Sequence, residues 1–341
     1  MNTYFSISAA DLKSVMLFVA ISFVIAFLLA PVLTEFLYKN KIGKHLRQNG
    51  VDGKAAPIFA ALHKDKAGTP VMGGLLFWVT AALLTAFFNL NRQETFLPLI
   101  ALVAAGLIGA ADDLMNAYGM GKNGGGLQMR HKFWIYLAVA VVGAWWFHYK
   151  LDWDNIFVPI LNQTVAIGWW YVPLFIGTVI YTAFSVNQTD GLDGLAGGVC
   201  SFAFFVFIFI ALVQGKVHLA IFCGTIVGAL LAFLWFNINP ARFFMGDTGS
   251  MALGMTLPII AFMTNSALLL PLILFIPFME GLSTIIQIVS KKVFHRKVFK
   301  VAPIHHHFEA IGWTEPKVTM RFWLIAALGS SLGLLLMLAR T

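Results

Sequence analysis

The sequence predicts an all-α, polytopic membrane protein of about ten transmembrane helices, forming one integral-membrane domain over residues 1–341. Three observations lead there. Hydrophobic residues make up 59% of the chain and charged residues 11%, against about 25% charged in soluble domains. The apolar residues fall in continuous runs long enough to span a bilayer. Lys and Arg gather in alternate loops between those runs.

The runs lie at 15–38, 70–89, 95–111, 133–148, 170–186, 195–214, 217–236, 250–264, 267–289 and 320–339. None alternates with period two, which argues against a closed β-barrel, the only other structure lipid accepts. The first run follows Asp11 and lacks both a basic head and a small-residue cleavage site, so it reads as a permanent helix. Cys200 and Cys223 fall inside runs and imply no disulfide framework and no cysteine metal site. The loops 39–69, 112–132, 237–249 and 291–321 together hold 18 of the 23 Lys and Arg. The positive-inside rule makes that side cytoplasmic, with both termini outside. The net charge of +8 is spread over these loops and forms no basic domain, so nucleic acid is not an expected partner.

The acidic residues are placed unevenly. Asp112, Asp113, Asp190, Asp193 and Asp247 all sit at the predicted cytoplasmic ends of helices. In "GAADDLMN" two adjacent carboxylates near hydrocarbon require a compensating cation, for which a hydrated divalent metal is the natural candidate; a solvated helix end is the plain alternative. "SVNQTDGLDGLAGG" adds Asn187, Asp190 and Asp193. Its sequon is unusable on the cytoplasmic side, and Gly194 and Gly198 fit close helix packing. Asp190 and Asp193, at i and i+3, share a face if the sixth helix has already begun there. In "FNINPARFFMGDTGSMALG", Pro240 stops the seventh helix, and Asp247 with its neighbours reads as a cap opening the eighth, where free N–H groups suit an anion.

Oxygen ligands of this kind favour magnesium or manganese, and magnesium takes one or two carboxylates plus substrate phosphates. "PIHHHFEAIGW" supplies His305, His306 and His307, which point in different directions and suit phosphate or sugar contacts better than one metal. Glu280 lies in the ninth run between Pro277 and Gly281, as in a broken helix with a satisfied internal acid. Lys64 and Lys66 stand before the second run, where phosphate or lipid headgroups are in reach.

Taken together, "GTPVMGG", "ADDLMN", "NQTDGLDGLAGG", "FNINPARFFMGDTGS" and "PIHHHFEAIGWTEPKV" resemble, in order and spacing, the polyprenyl-phosphate N-acetylhexosamine-1-phosphate transferases. The histidine triplet points to the phospho-N-acetylmuramoyl-pentapeptide transferase branch. The resemblance runs from about His63 to Trp323. It implies a ten-helix enzyme of the bacterial inner membrane, usually a homodimer, with its site facing the cytoplasm. The implied reaction moves phospho-MurNAc-pentapeptide from UDP-MurNAc-pentapeptide to undecaprenyl phosphate, with Mg2+, giving lipid I and UMP for peptidoglycan synthesis, cell shape and division.

By motif match Asp112, Asp113 and Asp193 are catalytic, and Asp247 with Asp193 holds the metal. The resemblance also implies that Phe244 stacks on uracil, with Asn187 and Asp190 near the nucleoside. It further implies that Lys66 and Lys132 meet phosphates, and that His305, His306 and His307 meet the phosphate or sugar. The segment after Asp113 is less basic than in many relatives, with Gly125 where lysine is common. Two other functions fit parts of the pattern: a UDP-GlcNAc transferase, and a cation-coupled transporter. The transporter is disfavoured because its acids belong near the bilayer midplane within repeats.

Overall fold

The structure is a computed structural model that describes residues 7–40, 42–43, 68–120 and 126–339. Lys66 therefore lies outside the described residues, as do Lys64 and Gly125. The described helices are α1 (Ala9–Lys39), α2 (Leu75–Phe88), α3 (Phe96–Ala117), α4 (Met129–Trp145), α5 (Tyr171–Thr189), α6 (Leu195–Val213), α7 (Val217–Asn237), α8 (Gly246–Met263), α9 (Leu270–Ile273), α10 (Phe275–Val293), α11 (Ile304–Ala310) and α12 (Glu315–Leu338).

The chain is an all-α, multi-pass membrane protein, and each of the ten predicted runs falls on a helix or on the α9–α10 pair. Among the described residues, six helices are singly long and apolar enough to cross a membrane, and α9 with α10, bent by 87°, makes a seventh when the pair is counted as one span. The remaining three runs fall short for local reasons. α2 starts only after the irregular "PVMGG". α4 has 17 residues before a π-helical turn, Trp146–Lys150, and α8 opens on the polar "GDTGS".

Two expectations need correction. The ninth run is not broken at Pro277 or Gly281: the bend is at Leu274, and Pro277 sits in the first turn of α10, where a missing N–H removes no helical bond. The chain also contains a two-stranded antiparallel hairpin, β1 (Asn155–Val158) and β2 (Gln163–Ala166), paired Asn155 to Ala166 through Val158 to Gln163. Its turn carries Asn162 at φ +49°, a left-handed position asparagine tolerates.

Helices α6, α7 and α8 are buried along most of their length and form the centre of the bundle; α1 and α12 leave large apolar side chains exposed on the outside. Both kinds are apolar all round, so packing is specified by small residues. On α1, Ser22, Ala26 and Ala30 form a buried stripe at i, i+4 and i+8. Facing it on α7 is Gly228, where a Cβ would collide with the Val19 carbonyl. Polar side chains tie the helix ends. At one end Asn89 Nδ2 donates to the His218 carbonyl at 2.8 Å, Glu94 accepts from Leu219 N–H at 3.0 Å, and Gln214 Nε2 donates to the Thr264 carbonyl at 2.8 Å. The opposite end holds the predicted aspartates.

Candidate active site

Asp112 and Asp113 lie on the last turns of α3 and are almost wholly buried. They turn to different partners. Asp112 Oδ1 accepts from Leu127 N–H at 2.5 Å, and its Oδ2 is 2.7 Å from Lys132 Nζ. The same Lys132 ammonium pairs with Asp247 Oδ2. Asp247 Oδ1 accepts from Asn187 Nδ2 at 2.6 Å, and that amide also reaches Ser250 Oγ at 2.9 Å. Lys132 on α4, Asn187 on α5, Asp112 on α3 and Asp247 on α8 thus converge from four helices on one polar layer.

Asp113 is a helix cap supplied from a distance. Its Oδ1 accepts from Asp247 N–H at 3.0 Å and its Oδ2 from Thr248 N–H at 2.9 Å. These are N–H groups that the first turn of a helix cannot satisfy internally, at the positive end of the α8 dipole. The sequence suggested Asp247 as the cap of its own helix; instead its carboxylate faces Lys132 and Asn187. Gly246 stands at φ +76°, and a Cβ there would collide with Asp113 Oδ2; a Cβ on Gly109 would strike the Asp247 backbone. The approach of α3 to α8 depends on both glycines. Trp78 Nε1 donates to Thr248 Oγ1 at 3.1 Å, and that hydroxyl donates to the Gly106 carbonyl at 3.1 Å.

The "TDGLDG" loop splits its two aspartates. α6 begins only at Leu195, so Asp190 and Asp193 lie in the turn before it and do not share a helical face. Asp190 Oδ2 accepts from Gly246 N–H at 3.1 Å, on the α8 side. Asp193 Oδ2 accepts from Asn239 Nδ2 at 3.0 Å and Ala241 N–H at 3.1 Å, while its own N–H donates to Glu315 Oε1 at 2.6 Å. Asp193 is thus bonded to the 239–241 segment and α12. Gly194 and Gly198 pack as expected: a Cβ on Gly198 would collide with the Trp323 indole, whose N–H donates to the Gly194 carbonyl at 3.1 Å.

Phe244 is half-buried beside the fully buried Phe243, and its backbone pairs with "PVMGG". Its N–H donates to the Pro70 carbonyl and its carbonyl accepts from Gly73 N–H, both at 2.8 Å. The three histidines do point apart on α11. His305 Nδ1 is 2.9 Å from Glu280 Oε2, His306 Nδ1 is 2.7 Å from Glu309 Oε2, and His307 Nδ1 accepts from Lys300 N–H at 3.2 Å. Sequence reasoning missed Asn239, Glu315 and the Glu280 partnership. Only the polar "FNIN" ending an apolar run, and an acid inside one, signal them.

Among the described residues no three His, Cys, Asp or Glu side chains are arranged as a preformed metal cage. The donors present are hard oxygens: Asp247, the least buried of the group, and Asp112 across Lys132. Such a pair suits an ion that keeps water and takes its other ligands from phosphate, as magnesium does. A cation, a buried carboxylate pair and a helix N-terminus are also what phosphoryl transfer requires of a protein.

Residues 95–265, which contain these aspartates, match the family model described as glycosyl transferase family 4. Over 99% of its length the chain is 36% identical to the phospho-N-acetylmuramoyl-pentapeptide-transferase of Chloroflexus aurantiacus, covering 93% of that protein. It is 39% identical to the enzyme of the same name from Clostridium perfringens and 37% identical to that of a Geobacillus species, in each case over 93% of this chain and 95% of the relative. The chain belongs to the phospho-N-acetylmuramoyl-pentapeptide-transferase family.

Proposed function

We propose that the chain transfers phospho-MurNAc-pentapeptide from UDP-MurNAc-pentapeptide to undecaprenyl phosphate, releasing UMP and forming lipid I, at the cytoplasmic face of the bacterial inner membrane. The observation that supports this best is the Asp112–Lys132–Asp247 group, set at the ends of three helices, where a lipid phosphate and a cytosolic nucleotide could meet.

Magnesium bound through Asp247, with Asp112 the second carboxylate, would supply charge neutralisation to the diphosphate. The chain's own groups do the rest. An oxygen of the acceptor phosphate attacks the sugar-bearing phosphorus, its bond to the UMP oxygen breaks, and the electron pair leaves on UMP. Asp112 would take the proton of the acceptor phosphate through Oδ2, the oxygen that Lys132 leaves when it turns to the phosphate. Lys132, which already spans two carboxylates, can turn to a phosphate oxygen as negative charge arrives. Asp113 has both oxygens committed to N–H groups and acts by holding α8 in place. Asn187, Asp190 and Phe244 form the nucleoside side, and His305 to His307 the phosphate or sugar side.

The test is UMP release by the purified chain, given undecaprenyl phosphate and either UDP-MurNAc-pentapeptide or UDP-GlcNAc, with and without Mg2+. Release with the first nucleotide alone, dependent on Mg2+, is the expected result. Transfer from UDP-GlcNAc alone would overturn the substrate assignment.

A further inference from the structure

Glu280 and His305 are both fully buried, lie 25 residues apart in sequence, and pair through Oε2 and Nδ1 at 2.9 Å. The carboxylate is rigidly placed. It sits on α10 next to Gly281, where a Cβ would collide with Ser185 Oγ of α5. The carboxylate also lies against the Ile304 and His305 backbone N–H groups at the start of α11, and His305 is the ring it pairs with. On the far side of the ring is Gly191, in the loop between Asp190 and Asp193. A Cβ at that glycine would collide with His305 Nε2 and stand 2.8 Å from Cε1. His305 is therefore clamped between an acid on α10 and the backbone of the loop whose Asp190 holds the α8 N-terminus.

We infer that Glu280 is a positioning residue for transfer, acting through His305: it holds the hydrogen on Nδ1 and fixes the ring so that Nε2 faces the 190–194 loop, with Gly191 as the clearance that allows it. With the carboxylate as the acceptor of this bond, the shared hydrogen stands on Nδ1 and Nε2 is an acceptor. Histidines that serve chemistry through one nitrogen are commonly oriented this way through the other. The bland alternative is a structural acid that merely satisfies a buried ring. The two differ in what Glu280 does once His305 is gone.

This inference rests on the transferase reading above, and the experiment separates the two. In the full-length protein, kcat and the nucleotide KM are measured for Glu280→Gln, His305→Ala and the double variant, together with thermal unfolding. Glu280→Gln is expected to lose about 10- to 100-fold in kcat, the range for removing the carboxylate partner of a functional histidine, with KM changed little. In the His305→Ala background the same substitution should cost nothing more. Gly191→Ala approaches the ring from its other edge and should give the same loss, again absent without His305. In protein labelled with 15N-histidine, the signal missing from His305→Ala identifies this ring, and it should show Nδ1 protonated in the native chain but not in Glu280→Gln. An equal loss with and without His305, a kcat within twofold of native for Glu280→Gln, or an unchanged tautomer would each overturn the inference. Absence of UMP release by the native chain would instead overturn the transferase reading, leaving the tautomer measurement to decide the role of Glu280.

Discussion

Lys132 and Asp112 form an ion pair of 2.7 Å in which both side chains are almost completely removed from solvent, and the same ammonium also serves Asp247. One cation thus holds two carboxylates that come from helices 135 residues apart in sequence. Breaking a buried pair by removing one partner leaves an uncompensated charge, at about 3–5 kcal/mol. Lys132→Met keeps the length and removes the charge. It should lower the unfolding temperature in detergent clearly and reduce UMP release by on the order of 10²-fold or more, the scale of losing one charge-stabilising donor. A variant within threefold of native activity would contradict the assignment of Lys132 to the site.

Gly109 tests the contact between α3 and α8. Its missing Cβ is replaced by the Asp247 backbone, which cannot swing away as a side chain would. Gly109→Ala should force the helices apart, at about 1–3 kcal/mol of overpacking, and should impair transfer more than Gly177→Ala, where a Cβ meets nothing within 4 Å. Comparing the unfolding temperatures and initial rates of these two variants checks the claim, and equal effects would argue against it.

These contacts also mark how much was legible in the sequence. Spans were readable because a bilayer-length apolar run leaves one solution, and "DGLDG" announced a turn because only glycine takes Gly194's φ of +73° without strain. The aspartates gathered at one end because each ends or precedes a helix. What could not be read was which donor each carboxylate meets. Asp113 caps α8 from 134 residues away, and nothing local to either segment records that. Asp190 and Asp193 look equivalent in sequence and diverge because α6 starts one residue after Gly194 and no helix orients them together. The hairpin at 155–166 escaped notice because its strands have four residues each, too short for a period-two pattern to stand out.

Trp323 offers a milder test of the loop's anchorage. Its indole N–H donates to the Gly194 carbonyl at 3.1 Å, and its ring fills the space left by Gly198. Trp323→Phe removes the donor while keeping most of the ring, and should cost about 1 kcal/mol with a small loss of activity. Gly198→Leu, which places a large side chain where the indole lies, should be far worse in both respects. Thermal unfolding and UMP release on the two variants, with Trp323→Phe as damaging as Gly198→Leu, would show the hydrogen bond and not the packing to be decisive.

Asp113, bonded to the start of α8, and Asp247, within its first turn, should separate scaffold from chemistry. Asp113 gives both oxygens to backbone N–H groups, whereas Asp247 gives one to Asn187 and the other to a lysine that can move. Asp113→Asn keeps one acceptor and turns the other atom into a donor facing an N–H, so it should lose about 1–2 kcal/mol, the scale of a lost helix cap. Whatever activity it retains should show a Mg2+ requirement close to native. Asp247→Asn also turns one acceptor into a donor, facing Asn187 or Lys132, but in addition it should require far more Mg2+ for transfer and bind Mn2+ weakly by electron paramagnetic resonance without substrate. Chelation of the native protein should stop UMP release, and added Mg2+ should restore it. If Asp113→Asn shifted the metal requirement as much as Asp247→Asn, the division between a positioning aspartate and a metal-holding one would have to be abandoned.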